Sequence, residues 1–371
     1  MKKSRVNLGE ADFVMFCVIL LLLTIGLIMV YSASSWTASI QYKDDMHFLK
    51  RQGPAAVIGI IAMLFFMRFD YHKIKKYTIL MMILCVPLLL AVFLFPGAKG
   101  AQRWINLGPI SIQPSEIVKY VMVLYLAKSI DYKGERIKSL LYGVLPYLFV
   151  AGAYAGLILL EKNLSICAVI MIVTLILLFV GGARLWHIFG LVAPVCTVAG
   201  IMLIFTASYR KARLLNFIDP WKDASGNGYQ LIQSLYALGS GGIWGVGLGQ
   251  SRQKAYYMPE PHNDFIFSII GEELGLIGCI LIISLFMILV WRGIRTAINS
   301  KDTYGTLLAT GITSVIAIQA IINIAVVSGS MPVTGVPLPF ISYGGSSLVL
   351  NLSAMGILLN VSRQIDRKRM Y

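Results

Sequence analysis

The chain has 371 residues, of which 57% are hydrophobic and only 13% charged, with a mean hydropathy of +0.76. That balance excludes a soluble globular domain and describes an all-α polytopic membrane protein. The net charge of +15 comes from 32 Lys and Arg against 17 Asp and Glu. These cations stand in small groups between apolar runs, which marks them as topology determinants and excludes a nucleic-acid surface.

MKKSR followed by the apolar run Phe13 to Ala33 imitates a secretory signal. A signal core spans only about 7 to 15 residues, so this longer run is read as the first membrane helix. Further helices are expected at about 54–68, 76–95, 115–130, 140–160, 165–182, 187–207, 265–290, 304–328 and 344–361. Most of these runs approach or reach the length needed to cross a bilayer, about 17 to 25 residues. Ten helices would then make one membrane domain over 1–371, with no separate soluble domain. Cys17, Cys85, Cys167, Cys196 and Cys279 all fall inside apolar segments without a CxxC pair, and are read as small buried residues.

Lys and Arg gather in RFDYHKIKK near 70, KSIDYKGERIK near 130 and RQIDRKR at the end. Positive charge is retained in the cytoplasm, so both termini are predicted there. The opposite face receives the loops at 34–53, 96–114, 208–264 and 329–343. The large extracellular loop, between helices 7 and 8, begins basic and turn-rich. It continues with YQLIQSLYAL, whose Leu231, Leu235 and Leu238 recur at helical spacing, as in a short helix lying in the membrane interface. GSGGIWGVGLGQ follows. No Lys-Ser or Lys-Thr completes a phosphate cradle, so its glycines are read as close backbone packing.

Four groups of residues carry chemical interest. In QPSEIVKY, Pro114 starts a helix and Glu116 and Lys119 follow one turn apart. They make either a satisfied internal salt bridge or, with Arg103 of GAQRWINLG and Arg51 before helix 2, the lining of an outward cationic cavity for phosphate or diphosphate. Asp264, after Pro259, Pro261, His262 and Asn263, is either the N-cap of helix 8 or a general base at the membrane edge. Glu272 and Glu273 are adjacent and cannot share a helix face, so one is expected to face the interior and the other to need a separate partner or water. No His or Cys stands near them at ligand spacing, so metal binding by the protein alone is not indicated, although a carboxylate and substrate phosphates together suit Mg2+ or Mn2+. MPVTGVPLPFISYGGSS is either a rigid re-entrant lip or a plain turn.

GLIMVYSAS, GAQRWINLGPISIQPSEIVK, GYQLIQSLYALGSGGIWGVGLGQSRQK, MPEPHNDFIFSIIGEELG and PVTGVPLPFISYGGSSL, in this order, resemble the SEDS family (shape, elongation, division, sporulation) of bacterial peptidoglycan glycosyltransferases. The division and sporulation members are the most similar. The resemblance implies a ten-helix, multi-pass enzyme of the bacterial plasma membrane that polymerises lipid II into undecaprenyl-diphosphate-linked glycan beside a class B penicillin-binding protein. It implies Asp264 as the essential acid, and Arg51, Arg103, Glu116 and Lys119 as cavity residues. Many members carry a PDLGT-like sequence after helix 5. This chain has EKNLSI at 161–166, with Asn163 where an acid is usual, so no role is carried over for that acid.

The chemistry expected is removal of a proton from the acceptor 4-hydroxyl by Asp264, with Arg103, Lys119 and Arg51, with or without a divalent cation, stabilising the departing diphosphate and the anomeric centre inverting. A lipid II transporter would use the same cations. It leaves Asp264 without a purpose, and no clear inverted repeat of broken helices is visible.

Overall fold

The computed structural model describes residues 9–97, 101–108, 110–206, 208–226 and 228–365. The basic MKKSR stretch and the last residues of RQIDRKR lie outside that set. Thirteen α-helices follow in order: α1 (Phe13–Tyr42), α2 (His47–Arg68), α3 (Tyr71–Ala91), α4 (Pro114–Lys133), α5 (Leu145–Leu160), α6 (Leu164–Val180) and α7 (Ala193–Phe205). Then come α8 (Ser208–Ile218), α9 (Tyr229–Gly241), α10 (Gln253–Tyr256), α11 (Ile266–Ile298), α12 (Thr303–Val327) and α13 (Gly345–Ser362). A two-stranded hairpin, β1 (Ile105–Leu107) with β2 (Ile110–Ile112), precedes α4.

All ten expected membrane segments are helical, as α1 to α7 and α11 to α13. Among the described residues, eight helices are long and apolar enough to cross a membrane, while Leu164–Val180 is apolar but shorter. α4 falls outside both groups because Glu116, Lys119, Lys128 and Asp131 interrupt its apolar run. α2 begins at His47 rather than near Pro54, which sits inside the helix. Proline reads as a helix start because it lacks an N–H, and that cue displaces the expected boundary by two turns. Arg51 therefore lies within α2, not before it.

α12 and α13 are the centre of the bundle, with 61% and 72% of their most apolar stretches buried, against 11% for the span that contains α7. α13 packs most extensively on α2, and α4 and α12 lie against each other. At the α2–α13 crossing a Cβ on Gly356 would collide with the backbone of Met63, so the absence of a side chain sets how closely the two helices approach. The described ends of the chain meet: Gly9 N–H donates to the Arg363 carbonyl at 2.9 Å, and Asp12 pairs with Arg292 at 2.5 Å while capping α1 through Met15 N–H. Both ends therefore share one face, as the charge pattern predicts.

Candidate functional site

Two loops meet at the opposite end of the bundle. One, residues 257–265, leads into α11; the other, residues 328–344, joins α12 to α13. The second is not a plain turn. Val336, Leu338, Phe340 and Ile341 are buried, and Leu338 N–H donates to the Ser342 hydroxyl at 2.8 Å. Non-helical backbone at such a depth is tolerated because protein surrounds it.

The two loops are joined by hydrogen bonds to backbone. Asn323, buried in α12, donates from its amide to the carbonyls of Asp264 and Val336, each at 2.8 Å. Tyr343 N–H donates to the His262 carbonyl at 2.9 Å. Gln52 of α2 accepts from Gly344 N–H and donates to the Ser342 carbonyl. Asp264 is half-buried in this frame. Its Oδ2 would lie 3.6 Å from a Cβ built on Gly335, so its carboxyl faces backbone of the other loop. α11 starts at Ile266 with Phe265 in the N-cap position. Asp264 thus precedes the cap by one residue, which corrects the capping alternative.

Arg51 is exposed near the N-terminal end of α2 and hydrogen-bonds the Tyr343 side chain. Burial raises the Tyr343 phenol above its ordinary value, and Arg51 works against that rise. The structure therefore brings Arg51 and Asp264 into one frame through Tyr343 and His262. Arg103 is half-buried and directed at the turn after α5, donating from Nε to the Glu161 carbonyl at 3.3 Å and from Nη2 to the Lys162 carbonyl at 2.5 Å. It meets the negative end of the α5 dipole there.

Glu116 and Lys119 are 1% exposed each. Lys119 Nζ lies 2.8 Å from Glu116 Oε2 and 2.8 Å from Gln319 Oε1, and the Ser347 hydroxyl donates to Glu116 at 2.7 Å. Their charges cancel inside a four-residue hub that ties α4 to α12 and α13. This is the internal salt-bridge alternative, extended by two partners from distant helices.

A second polar hub lies beneath the glycine-rich segment. α11 is broken at Gly275, whose φ of 67° and ψ of −164° are not helical. The carbonyls of Glu272 and Glu273 instead accept from Val246 and Gly247 N–H at 2.9 and 3.0 Å, and Leu276 N–H donates to Gly242. Cβ atoms on Gly245 or Gly275 would overlap this backbone, so the glycines do pack backbone on backbone. Both acids are buried and both find partners in the SRQK segment. Ser251 Oγ and Arg252 N–H donate to Glu272, and Lys254 Nζ and Ser32 Oγ donate to Glu273. α9 packs on α11 and buries Leu231, Ile232 and Ala237. Its apolar face is covered by protein, a correction to the interfacial placement. Asn323, Gln52, Ser32 and Lys254 escape a reading by sequence, since a single polar residue in an apolar run does not show which distant carbonyl or carboxylate it meets.

Among the described residues no three His, Cys, Asp or Glu side chains converge as a metal site.

A family model described as Cell cycle protein, covering FtsW, RodA and SpoVE, matches residues 12–367. Stage V sporulation protein E of Bacillus subtilis (strain 168) is 47% identical over 356 residues, 95% of this chain and 97% of that protein. A probable peptidoglycan glycosyltransferase FtsW of Geobacter metallireducens is 42% identical over 369 residues, 97% of this chain and 98% of that protein. Among solved structures, a chain of a peptidoglycan synthase complex that coordinates polymerization and crosslinking is similar with a TM-score of 0.80 at 25% identity, covering 95% of this chain and 98% of that one. The rod shape determining protein RodA of Thermus thermophilus has a TM-score of 0.71 at 23% identity, covering 96% and 97%, a likeness that speaks for the fold. The chain belongs to the FtsW/RodA/SpoVE family.

Proposed function

We propose that this multi-pass plasma-membrane protein is a peptidoglycan glycosyltransferase that polymerises lipid II on the outer face, with Asp264 as its general base. The observation that carries this reading is the joint frame of Asp264 and Arg51. An acid on one loop of a locked pair and an exposed cation of α2 that bonds the other loop through Tyr343 lie together, on the face opposite the joined chain ends. The identities to named glycosyltransferases over nearly the whole chain support the reaction class.

A sugar hydroxyl is a weak nucleophile at neutral pH, so its attack on an anomeric carbon needs a base on one side and charge neutralisation on the other. In the reaction proposed, Asp264 takes the proton of the acceptor 4-hydroxyl, the new glycosidic bond forms at the anomeric carbon, and the bond to the lipid diphosphate breaks with inversion. Arg51 and Arg103 meet the departing undecaprenyl diphosphate. Glu116 and Lys119, paired and buried, act as positioning residues that hold α4 beneath Arg103. No step is assigned to a metal. Ten crossings with both termini cytoplasmic, and a cross-linking class B penicillin-binding protein as partner, complete the proposal.

The test gives labelled lipid II and a divalent cation to the purified protein, alone and with its penicillin-binding partner, and separates glycan strands on a gel. Asp264→Asn is expected to lose about a hundredfold or more in rate, the range for removal of a general base. Equal polymerisation by wild type and Asp264→Asn removes the assignment. Transfer of lipid II across vesicles without any polymer favours a transporter instead.

A further inference from the structure

Glu161 has no part in the reaction above, and its surroundings are unusual for an acid. It occupies the turn between α5 and α6, its residue is 0% exposed, and neither carboxylate oxygen has a hydrogen-bond partner among the described residues. Its polar neighbours come from several elements. Arg103 lies beside it, on the segment before β1, and the Ser115 hydroxyl of α4 faces it. Cys167 of α6 is close enough to feel the charges of Glu161, Arg103 and Arg210 of α8. Lys162 is adjacent in the chain. Asn163 accepts from Ile166 N–H as the N-cap of α6 and so serves the helix rather than Glu161.

Arg103 is the neighbour that matters. A guanidinium beside a carboxylate normally closes a bidentate pair. Here it spends Nε and Nη2 on the carbonyls of Glu161 and Lys162 and leaves the carboxyl oxygens of Glu161 unbonded. An ionised carboxylate without hydrogen bonds is costly to bury, so such a group takes up a proton.

We propose that Glu161 is a charge-setting, positioning residue of the diphosphate site. As a neutral acid behind Arg103 it leaves the guanidinium charge to an anionic lipid diphosphate, and as a carboxylate it draws that guanidinium inward and competes with the ligand. The proposal rests on the assignment of Arg103 to the diphosphate made above. Burial pushes the Glu161 carboxyl up to about 8, against the pull of Arg103 and Ser115, which puts the change of state near neutral pH.

Binding of farnesyl diphosphate to the detergent-solubilised full chain, followed across pH 7 to 9, tests this. The ligand's own titration is common to every variant and cancels in ratios. Wild type is expected to weaken about tenfold relative to Glu161→Gln over that range, the worth of one lost charge-assisted hydrogen bond. The infrared carbonyl stretch of a protonated carboxylic acid should be present in wild type at neutral pH, fade as pH rises, and be missing in Glu161→Gln. Parallel pH curves for the two proteins overturn the proposal. Should Glu161→Gln not fold, Glu161→Met replaces it, and absence of the protonated-acid band from wild type is sufficient refutation. Arg103→Ala separates the two levels of inference. If it binds the probe as wild type does, the diphosphate assignment fails; if it loses binding while the pH curves stay parallel, only the role of Glu161 fails.

Discussion

Lys254 and Glu273 form an ion pair of 2.5 Å whose side chains are 5% and 0% exposed. Lys254→Met leaves the Glu273 carboxylate buried with only the Ser32 hydroxyl and the Ser251 N–H as donors. Stranding one member of a buried pair costs about 3 to 5 kcal/mol. For a chain of 371 residues, an unfolding entropy of ~2.1 cal/mol/K per residue converts that cost to a fall in Tm of about 4 to 6 °C. Glu273→Gln should fall by a similar amount, because it strands the ammonium. The double variant buries neither charge of the pair and escapes both desolvation penalties, so it is expected within about 2 °C of wild type. Thermal unfolding in detergent, followed by intrinsic fluorescence with size-exclusion profiles as control, measures all four corners of this cycle. A double variant that falls as far as the sum of the singles would refute the idea that the pair is a mutually compensating unit. In that case Lys254 and Glu273 would contribute through separate contacts.

Asn323→Leu removes both bonds that hold the Asp264 and Val336 carbonyls. Its polymerisation rate should drop about tenfold to a hundredfold, through misplacement of the acid, while lipid II still binds; an unchanged rate rejects the shared frame. Gly275→Ala forces a Cβ into the backbone around Ile243 and Gly245 at a φ of 67°, and should yield aggregated or poorly folded protein by size exclusion, whereas a monodisperse, active variant contradicts the packing. For Glu161 the folded value of about 8 exceeds the ordinary 4.5, so its contribution to stability is complete below about pH 4.5 and is lost as pH rises through about 8. Wild-type Tm should therefore decline across that window more steeply than Tm of Glu161→Gln, and parallel slopes in a pH series of melting curves exclude it.

The helices are legible in the sequence because lipid and protein interior select the same continuous apolar runs, and α4 is found despite its charges because Pro114 marks its start. The same proline cue fails at Pro54, where α2 has already run for two turns. The glycine-rich segment is read correctly as backbone packing, since the break at Gly275 needs donors for the freed carbonyls of Glu272 and Glu273 and only a glycine loop approaches closely enough to supply them. What sequence does not reveal is pairing between residues hundreds of positions apart. Glu116 and Lys119 read equally as a salt bridge or a cavity lining until Gln319 of α12 is found on Lys119 and Ser347 of α13 on Glu116. Asp264 looks like a cap until Phe265 is found in that place.

These pairings bear on how the proposed reaction is organised. Charge stabilisation of a leaving diphosphate works best when the cations are fixed before reaction and need no reorganisation during it. Of the cations expected at the outer face, Lys119 is paired with Glu116 within its own helix hub, while Arg51 and Arg103 each donate to neutral groups. Arg51 is held by a neutral phenol and Arg103 by two backbone carbonyls. Neutral anchors orient a guanidinium without cancelling it, whereas a carboxylate anchor cancels it. On the proposed reading, that difference separates Arg51 and Arg103 from Lys119 as ligands for an anion, and it is the reason the protonation state of Glu161, the acid set against Arg103, should alter binding of a diphosphate.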